Sequence, residues 1–196
     1  MTQTVTVDLA THTERAVTRP QFADTMARLA STVCVVSSGS GSECLGRTAT
    51  AVFSLSANPP SIVVSIKADS ALAEAITKQD GFSLAMLAQG QELVADAFAG
   101  RVAAASRYLV GVWADWPSGR PRLLGAAAGV DCVLSASILV GDHRLFVGTI
   151  IATETSGYAE PLLWSERQYQ ALDRSTAFAA PSGGRPLPSG AACRTI

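Results

Sequence analysis

The chain has 196 residues and a formal net charge of −1, with 48% hydrophobic and 16% charged residues. That length is enough to bury the core of one domain without disulfides or a structural metal. The near-neutral charge comes with no basic stripe carrying interleaved aromatic residues, which argues against a nucleic-acid partner. No apolar run is long enough to span a bilayer, so a membrane protein is also excluded.

The cysteines and the N-terminus bear on the cellular compartment. The four cysteines contain no Cys-x-x-Cys pair, and with only two histidines beside them a zinc site has almost no ligands, so no metal is expected. Cys34 and Cys132 lie in apolar β-type patterns and are expected to be reduced, buried core residues. The Thr-rich N-terminus lacks a basic segment followed by an apolar one, and this favours a cytoplasmic protein.

The composition along the chain predicts one domain with two loose ends. Residues 1–18 are expected to be a flexible arm, 19–178 the folded domain, and the Pro- and Gly-rich stretch 179–196 a flexible tail. At the start of the domain, Pro20 predicts the first turn of a helix. The apolar residues spaced to line one side of that helix are Phe22, Met26 and Leu29.

The remaining pattern is dominated by strands. Helices are predicted over 70–78, where Ser70 is a natural N-cap, over 91–98, and over 166–172. The stretch 108–119 has no clear period and is expected to be a loop or a short helix. Strands are predicted over 32–37, 46–58, 61–66, 82–87, 130–140, 144–154 and 161–164. Many strands with short connections predict a mainly β fold, an antiparallel barrel with flanking helices.

The run from Gly46 to Pro60 is the most informative part of the chain. A period of two places the hydroxyls of Thr48, Thr50, Ser54 and Ser56 on one strand face, beside small residues. Such a face lets a flat polar ligand approach the backbone and exchange hydrogen bonds with it. Proline then stops the strand, because it lacks the N–H that a ladder needs. An edge strand with a solvated Thr/Ser face explains the run equally well.

The residues near position 40 partly match two known sequence motifs, and neither match is complete. Gly39-x-Gly41 follows a strand, but a dinucleotide fingerprint would need glycine where Cys44 stands and a helix where strand sequence follows. The hydrolase elbow Gly-x-Ser-x-Gly also fails, because Ser42 occupies the position of its second glycine. The segment is therefore expected to be a hairpin turn.

Three further features each allow a structural and a functional interpretation. Gly141-Asp142-His143 is a tight hairpin turn whose imidazole could donate a hydrogen bond to an amide or phosphate. Ser70 caps its helix, or that helix end holds a phosphate together with Lys67. Arg101 follows an ordinary helix end, or provides a second phosphate or pyrophosphate contact.

Taken together, these motifs resemble the short-chain flavin reductases, a family with the FMN-binding split-barrel fold. The resemblance covers roughly residues 22–172. It rests on the order of Gly46-x-Thr48-Ala49, Ser54-x-Ser56-x-x-Pro59-Pro60, Ile62-Val63-Val64-Ser65-Ile66, Phe98-Ala99, Pro121-x-Leu123, Gly141-Asp142-His143, Gly148 and Pro161-Leu162-Leu163. Any one of these is weak, but their order and spacing are fairly specific.

The resemblance implies a role for each matching residue. The resemblance implies that His143 contacts the nicotinamide nucleotide and that Lys67 and Ser70 contact the flavin phosphate. It implies Tyr169 as a weaker contact. The residues implied at the flavin ring and ribityl chain are Thr48, Ala49, Thr50, Ser54 and Ser56. The chain departs from the family at three positions. It has Ala51 where a serine is frequent, Ala85 where an asparagine is frequent, and Arg47 where many relatives are apolar.

The activity that the resemblance implies is an NAD(P)H:flavin oxidoreductase working as a homodimer. It would reduce FAD or FMN with NADH, or alternatively NADPH, and supply a separate monooxygenase in aromatic or natural-product hydroxylation, antibiotic biosynthesis being one such setting. The chemistry belongs to the cofactors, so the absence of an acid–base dyad in the sequence is consistent with it. Two alternatives stay open: a non-enzymatic flavin-binding module, and a split-barrel oxidase that retains its flavin.

Overall fold

A computed structural model of the chain describes residues 3–7 and 15–172. In these ranges the α-helices are α1 (Arg19–Met26), α2 (Ala71–Lys78) and α3 (Glu92–Asp96), the last continuing into a π-helical turn over Ala97–Arg101. The strands in chain order are β1 (Gln3–Val7), β2 (Ser31–Thr32), β3 (Cys34–Ser38), β4 (Leu45–Ala49), β5 (Val52–Ala57), β6 (Pro60–Lys67), β7 (Gly81–Met86), β8 (Trp113–Asp115), β9 (Pro121–Leu123), β10 (Ala128–Val140), β11 (His143–Thr155), β12 (Leu163–Ser165) and β13 (Gln168–Gln170).

One sheet carries most of the strands, in the order β4-β3-β7-β10-β11-β6-β5. Every neighbouring pair along this path is antiparallel, as expected for strands joined by hairpins and short connections. Two small sheets, β13-β12-β2 and β8-β9, accompany it. This architecture confirms the predicted mainly β, antiparallel split barrel with flanking helices.

Two apolar clusters lie on either side of the strands that carry the site. One contains Phe82, Phe146 and Ile76, and Ile76 joins α2 to the barrel interior. The other packs Leu87 and Phe98 beneath α3 and the turn that follows it. Because β3 alternates, Cys34 and Val36 face the first cluster while Val33 and Val35 face the second. The site described below lies along the seam between these clusters.

The longest hairpin places a sequence-predicted turn at the edge of the site. Strands β10 and β11 pair along their length and meet at Val140 opposite His143. Gly141 adopts a φ of +58°, which a glycine accepts without a Cβ penalty. The predicted Gly141-Asp142 turn is confirmed.

The predicted helix over 166–172 is wrong. Glu166 and Arg167 both adopt positive φ values, 53° and 61°, and form the turn between β12 and β13. The Glu166 carboxylate contacts Arg28, and the Arg167 guanidinium contacts Asp24 beside α1. Pairing with β12 and these contacts outweigh the helical preference of the local sequence.

The N-terminal residues differ from expectation where they are described. Gln3–Val7 were expected to belong to a loose arm, whereas they form β1 and pair in parallel with the end of β10. Helix α1 begins as predicted: Pro20 lies in its first turn and Thr18 forms a capping box with Gln21. The predicted tail 179–196 lies outside the described residues.

The apolar side of α1 is not covered by the residues that the structure describes. Phe22 is 57% exposed, Met26 45% and Leu29, just beyond the helix, 63%. The same is true of the outer face of β5, where Phe53 and Leu55 are about half exposed. These uncovered side chains bear on the oligomeric state proposed below.

Two further sequence expectations concern cysteines and the membrane. Cys34 and Cys132 are buried free thiols, as predicted. Burial raises the pKa of each to about 12. None of the helices in the described ranges is long and apolar enough to cross a membrane.

Candidate functional site

A cavity of about 470 Å³ lies between β4, the end of β6, the start of α2 and the β12–β13 hairpin. This volume is within the range typical of small-molecule and cofactor pockets. The lining contains three basic side chains, and no carboxylate occurs among the described residues that form it. The lining residues are Val33, Arg47, Thr48, Ala49, Thr50, Ala51, Ser65, Ile66, Lys67, Ser70, Phe98, Ala99, His143, Trp164 and Tyr169.

The cavity brings together seven of the ten residues predicted from sequence. These are Thr48, Ala49, Thr50, Lys67, Ser70, His143 and Tyr169. The other three, Ser54, Ser56 and Arg101, do not line it. An anionic ligand with a flat ring suits the lining, which combines positive charge, hydroxyls and apolar surface.

The segment Thr50–Ala51 interrupts the predicted strand at the cavity wall. Strand β4 ends at Ala49 and β5 begins at Val52, so these two residues belong to neither ladder. Their carbonyls are used within the protein: that of Thr50 accepts from the Val52 N–H at 3.0 Å, and that of Ala51 from the Ser65 N–H at 3.0 Å. Both residues line the cavity, so the main chain reaches the space that a ligand would fill at this point.

The hydroxyl of Thr48 has a structural partner. It donates to the Ala95 carbonyl in α3 at 2.6 Å, which ties β4 to the helix whose continuation carries Phe98 and Ala99. Gly46, two residues earlier, lies against the Phe98 ring so closely that a Cβ there would meet it at 2.6 Å. These two contacts fix the distance between β4 and the π-helical turn that forms one wall of the cavity.

Lys67 and Ser70 lie at the end of β6 and the start of α2. The Ser70 hydroxyl donates to the Lys67 carbonyl at 2.7 Å and accepts from the Ala73 N–H at 3.2 Å, so it is the N-cap of α2, as predicted. The Lys67 ammonium contacts Asp69 at 3.0 Å, but both side chains are more than half exposed. An exposed pair of this kind is weakly held, so the ammonium remains available to a phosphate.

His143 lies on the same side of the cavity as Lys67, because the two residues pair in the ladder between β6 and β11. Its Nδ1 is 2.8 Å from Asp142 Oδ1. That hydrogen bond, together with the charge of the imidazole, lowers the pKa of the Asp142 carboxyl. Because a carboxylate accepts, the contact places the proton on Nδ1 and leaves Nε2 for another partner.

Tyr169 reaches the cavity from β13 and is held by a carboxylate. Its hydroxyl donates to Asp96 Oδ1 at 2.7 Å, and its ring lies edge-on to Trp164 with centroids 5.0 Å apart. Burial, and after it the hydrogen bond to Asp96, raise the pKa of Tyr169 to about 12. The second oxygen of Asp96 is 3.2 Å from the Arg101 guanidinium, and Arg101 does not line the cavity.

The sequence predicts that Thr48, Thr50, Ser54 and Ser56 place their hydroxyls on one face of one continuous strand. The structure shows no such continuous strand. The interruption at Thr50–Ala51 separates β4 from β5, and β5 instead pairs with β6. Ser56 makes a local turn, accepting from the Asn58 N–H at 3.1 Å. The roles of Ser54 and Ser56 at a flavin therefore stay predictions without support from the cavity.

Sequence reasoning missed several lining residues. Arg47 was noted only as a departure from the family, yet it lies in the lining with its side chain directed toward the turn at Gly100. Trp164 and Val33 come from strands remote in sequence, and no local signal marks them. Phe98 and Ala99 had a signal, since they belong to the motifs that carry the family resemblance.

Comparison with known protein families agrees with this geometry. Residues 26–173 match the model of the flavin reductase like domain. The FMN reductase (NADH) RutF of Methylorubrum extorquens is 34% identical over 175 residues, which cover 89% of this chain and 83% of that protein. The reductase component of the 4-hydroxyphenylacetate 3-monooxygenase of Thermus thermophilus is 34% identical over 77% of this chain and 95% of its own length.

A solved structure extends the comparison to the fold. The NADH:FAD oxidoreductase SgcE6 of Streptomyces globisporus, in complex with NAD and FAD fragments, superposes with a TM-score of 0.75 at 26% identity. The match covers 81% of this chain and 94% of that one. By their names, the first and third of these proteins act on a flavin with NADH, and the second is the reductase component of a monooxygenase.

Proposed function

This chain belongs to the flavin reductase like domain family, and we propose that it reduces free flavin with NADH and passes the reduced flavin to a separate monooxygenase. The enzyme class, an NAD(P)H-dependent flavin reductase, follows from the family and from the NADH-dependent relatives. The observation that carries the proposal is the cavity itself. Its basic lining, with no carboxylate among the described residues, suits nucleotide substrates, and it adjoins two amides outside the sheet ladders.

The residues that we assign to the flavin follow the wall of the cavity. Thr48, Ala49 and Thr50 would lie along the ring, with the amides of Thr50 and Ala51 available to its polar edge. Backbone donors of this kind are fixed before the ligand arrives, so they stabilise developing negative charge without reorganisation. Ser54 and Ser56 stay predictions, because they lie outside the cavity.

The phosphate of the flavin is assigned to the opposite part of the wall. Lys67 supplies a cation and the N-terminus of α2, capped by Ser70, supplies a favourable dipole. Tyr169 would contact the ligand from the β12–β13 hairpin. Arg101 stays a prediction, since its guanidinium contacts Asp96.

His143 is assigned to the nicotinamide nucleotide. When bound, the nicotinamide donates a hydride and the flavin accepts it, and the two rings carry that chemistry themselves. The chain's part would be to hold the two rings in contact with each other. Nε2 of His143 is positioned to accept from or donate to a carboxamide or phosphate, because Asp142 engages Nδ1.

We propose a homodimer as the working form. The apolar residues left uncovered on α1 and β5 include Phe22, Met26, Phe53 and Leu55. Exposed apolar side chains grouped on one side of a helix and on one face of a strand are typical of an interface. A second copy of the chain would cover it.

The finer features of the system are proposals as well. We propose FAD or FMN as the flavin and NADH as the preferred donor, with NADPH as the alternative. The oxygenase would act on an aromatic or natural-product substrate, antibiotic biosynthesis included. A cytoplasmic location is consistent with the free thiols of Cys34, Cys44 and Cys132.

One assay tests the activity. The purified protein is mixed with NADH and increasing FMN or FAD, and the loss of nicotinamide absorbance is followed. Turnover that rises with free flavin supports the diffusible product. Flavin binding without turnover would contradict the proposal and favour a flavin-binding module. Flavin that co-purifies and does not exchange would instead favour an oxidase that retains it.

A further inference from the structure

Arg47 is a cation in the cavity for which the described residues provide no hydrogen-bond or ion-pair partner. It lies on β4 beside Thr48, and its side chain is exposed to the cavity. The other two basic residues of the lining are each in contact with a carboxylate, Lys67 with Asp69 and His143 with Asp142. Arg47 differs from them in having no carboxylate in contact with it among the described residues.

The fold leaves room for this guanidinium. Gly100, in the turn after α3, has a φ of +107°, and a Cβ built there would lie 3.7 Å from Arg47 Nη1. The neighbouring Ala99 also lines the cavity and has only a methyl side chain. A small residue at each of these positions keeps open the space next to the charge.

Arg101 was the residue that the sequence suggested for a second phosphate, and the geometry favours Arg47 instead. The Arg101 guanidinium contacts Asp96 at 3.2 Å and does not line the cavity. Asp96 also accepts from Tyr169, so moving Arg101 would disturb a three-residue arrangement. Arg47 is under no such constraint.

Arg47 and Lys67 occupy different parts of the wall. Arg47 is on β4, whereas Lys67 ends β6, and these two strands are not neighbours in the sheet order. A mononucleotide has one phosphate, for which Lys67 and the N-terminus of α2 are sufficient. A second cation at a separate position indicates a ligand with a further phosphate.

We propose that Arg47 binds the pyrophosphate group of a dinucleotide; this inference rests on the proposed function and deepens it. A guanidinium can donate two parallel hydrogen bonds to a phosphate, which makes it well suited to this group. Two dinucleotides meet the description, FAD and NADH. Each has a mononucleotide counterpart without the pyrophosphate, FMN and reduced nicotinamide mononucleotide.

The test compares each dinucleotide with its mononucleotide in Arg47→Ala and Arg47→Lys. Dissociation constants of FAD and FMN are measured by flavin fluorescence quenching, which needs no turnover. KM is measured for NADH and for reduced nicotinamide mononucleotide. We expect Arg47→Ala to weaken one dinucleotide by about tenfold while its mononucleotide changes less than about twofold. Arg47→Lys should restore part of the loss, since it keeps the charge but not the paired donors.

Two further variants serve as controls. Arg19→Ala removes an exposed cation from the start of α1, away from the cavity, and should leave all four constants unchanged. Arg101→Ala distinguishes between the two candidate arginines. We expect this variant to keep the wild-type difference between each dinucleotide and its mononucleotide. Loss of that preference in Arg101→Ala but not in Arg47→Ala would overturn the assignment.

The outcomes are distinct. A selective loss for FAD, or for NADH, supports the proposal and identifies the dinucleotide. An equal loss for FMN and FAD without a selective loss for NADH overturns it, because Arg47 then contacts the phosphate that both flavins share. No change in any constant also overturns it and leaves Arg47 as a solvated surface cation. If the wild-type protein binds flavin but does not oxidise NADH, the proposed function is wrong. The dissociation constants of FAD and FMN still test whether Arg47 binds the pyrophosphate.

Discussion

Lys67 and His143 are direct neighbours in the antiparallel register between β6 and β11. The pairing places the ammonium assigned to a phosphate beside the imidazole assigned to a nicotinamide, at one edge of one cavity. Their carboxylate partners, Asp69 and Asp142, come from the two adjoining turns, and neither lines the cavity. The two roles are therefore close in space but can be separated by mutation.

Replacing His143 should affect the nicotinamide nucleotide more than the flavin. We expect His143→Ala to raise the KM for NADH by about tenfold, since a lost hydrogen bond to a ligand contributes roughly 1–2 kcal/mol. The dissociation constant of the flavin should change by less than about twofold. Asp142→Asn is the matched variant, because it keeps the turn and removes only the charge that orients Nδ1. Equal effects of His143→Ala on both ligands would remove His143 from its assigned role.

Replacing Lys67 should discriminate between flavins with and without a phosphate. Lys67→Ala is expected to weaken FMN by about tenfold, because a hydrogen bond to a charged group contributes roughly 1.5–3 kcal/mol. Riboflavin, which has no phosphate, should bind almost unchanged. Lys78→Ala, at the other end of α2, is the control for a general loss of positive charge. An equal loss for riboflavin would show that Lys67 acts on the ring or on the fold.

Adding a side chain at Gly46 should disturb the wall of the cavity. A Cβ there would lie 2.6–2.8 Å from the Phe98 ring and 2.8 Å from the Tyr108 hydroxyl. Both aromatic groups are packed together, with Phe98 and Tyr108 centroids 5.0 Å apart, so they cannot simply rotate away. We expect Gly46→Ala to lower the free energy of unfolding by roughly 1–3 kcal/mol in urea titration.

The control for that substitution is another glycine. Gly157→Ala places a Cβ in open space, with nothing within 4 Å, and should leave the unfolding transition unchanged. Similar losses in the two variants would mean that the Gly46 contact is not the cause. Flavin affinity in Gly46→Ala should fall together with stability, because Phe98 belongs to both the core and the cavity.

The buried thiols predict how stability depends on pH at the alkaline end. Cys34 and Cys132 have a pKa of about 12 in the folded chain because burial disfavours the thiolate. In the unfolded chain an ordinary thiol releases its proton near pH 8.5. Between about pH 9 and 12 the unfolded state therefore holds fewer protons than the folded state, and the free energy of unfolding falls as the pH rises.

A single variant isolates this contribution. Cys34→Ala should show a shallower decline over that pH range than the wild type, measured by urea titration at several pH values. Alkylation followed by peptide mass spectrometry should leave Cys34 and Cys132 unmodified in the folded protein at neutral pH, and label both in urea. Rapid labelling of either thiol in the folded state would contradict the burial that raises its pKa.

The sequence allowed the family, the enzyme class and the barrel to be predicted, and the comparisons confirm them. Alternating apolar residues and turn dipeptides are local signals, so the β10–β11 hairpin and the Ser70 cap could be located without tertiary information. The buried cysteines followed from the same alternation. Seven of the predicted site residues meet in one cavity because the family motifs mark strand ends that adjoin in the fold.

What the sequence did not reveal depends on contacts between distant segments. No glycine or proline marks the interruption at Thr50–Ala51, which arises where the chain passes from β4 to pair with β6. The turn at Glu166–Arg167 reverses the chain because β13 pairs with β12, although its residues have ordinary helix propensity. Arg47 could be noted as unusual, but its place beside Gly100 required the structure.

At Thr50 and Ala51 the donors that we assign to the flavin belong to the main chain, and every amino acid except proline supplies the same N–H. Evolution can exchange the side chains at these two positions without removing the donors, provided that the backbone keeps its course. The alanine at position 51 supplies the same N–H as a serine would. On this assignment, the course of the backbone at residues 50 and 51 matters more to the ligand than the two side chains do.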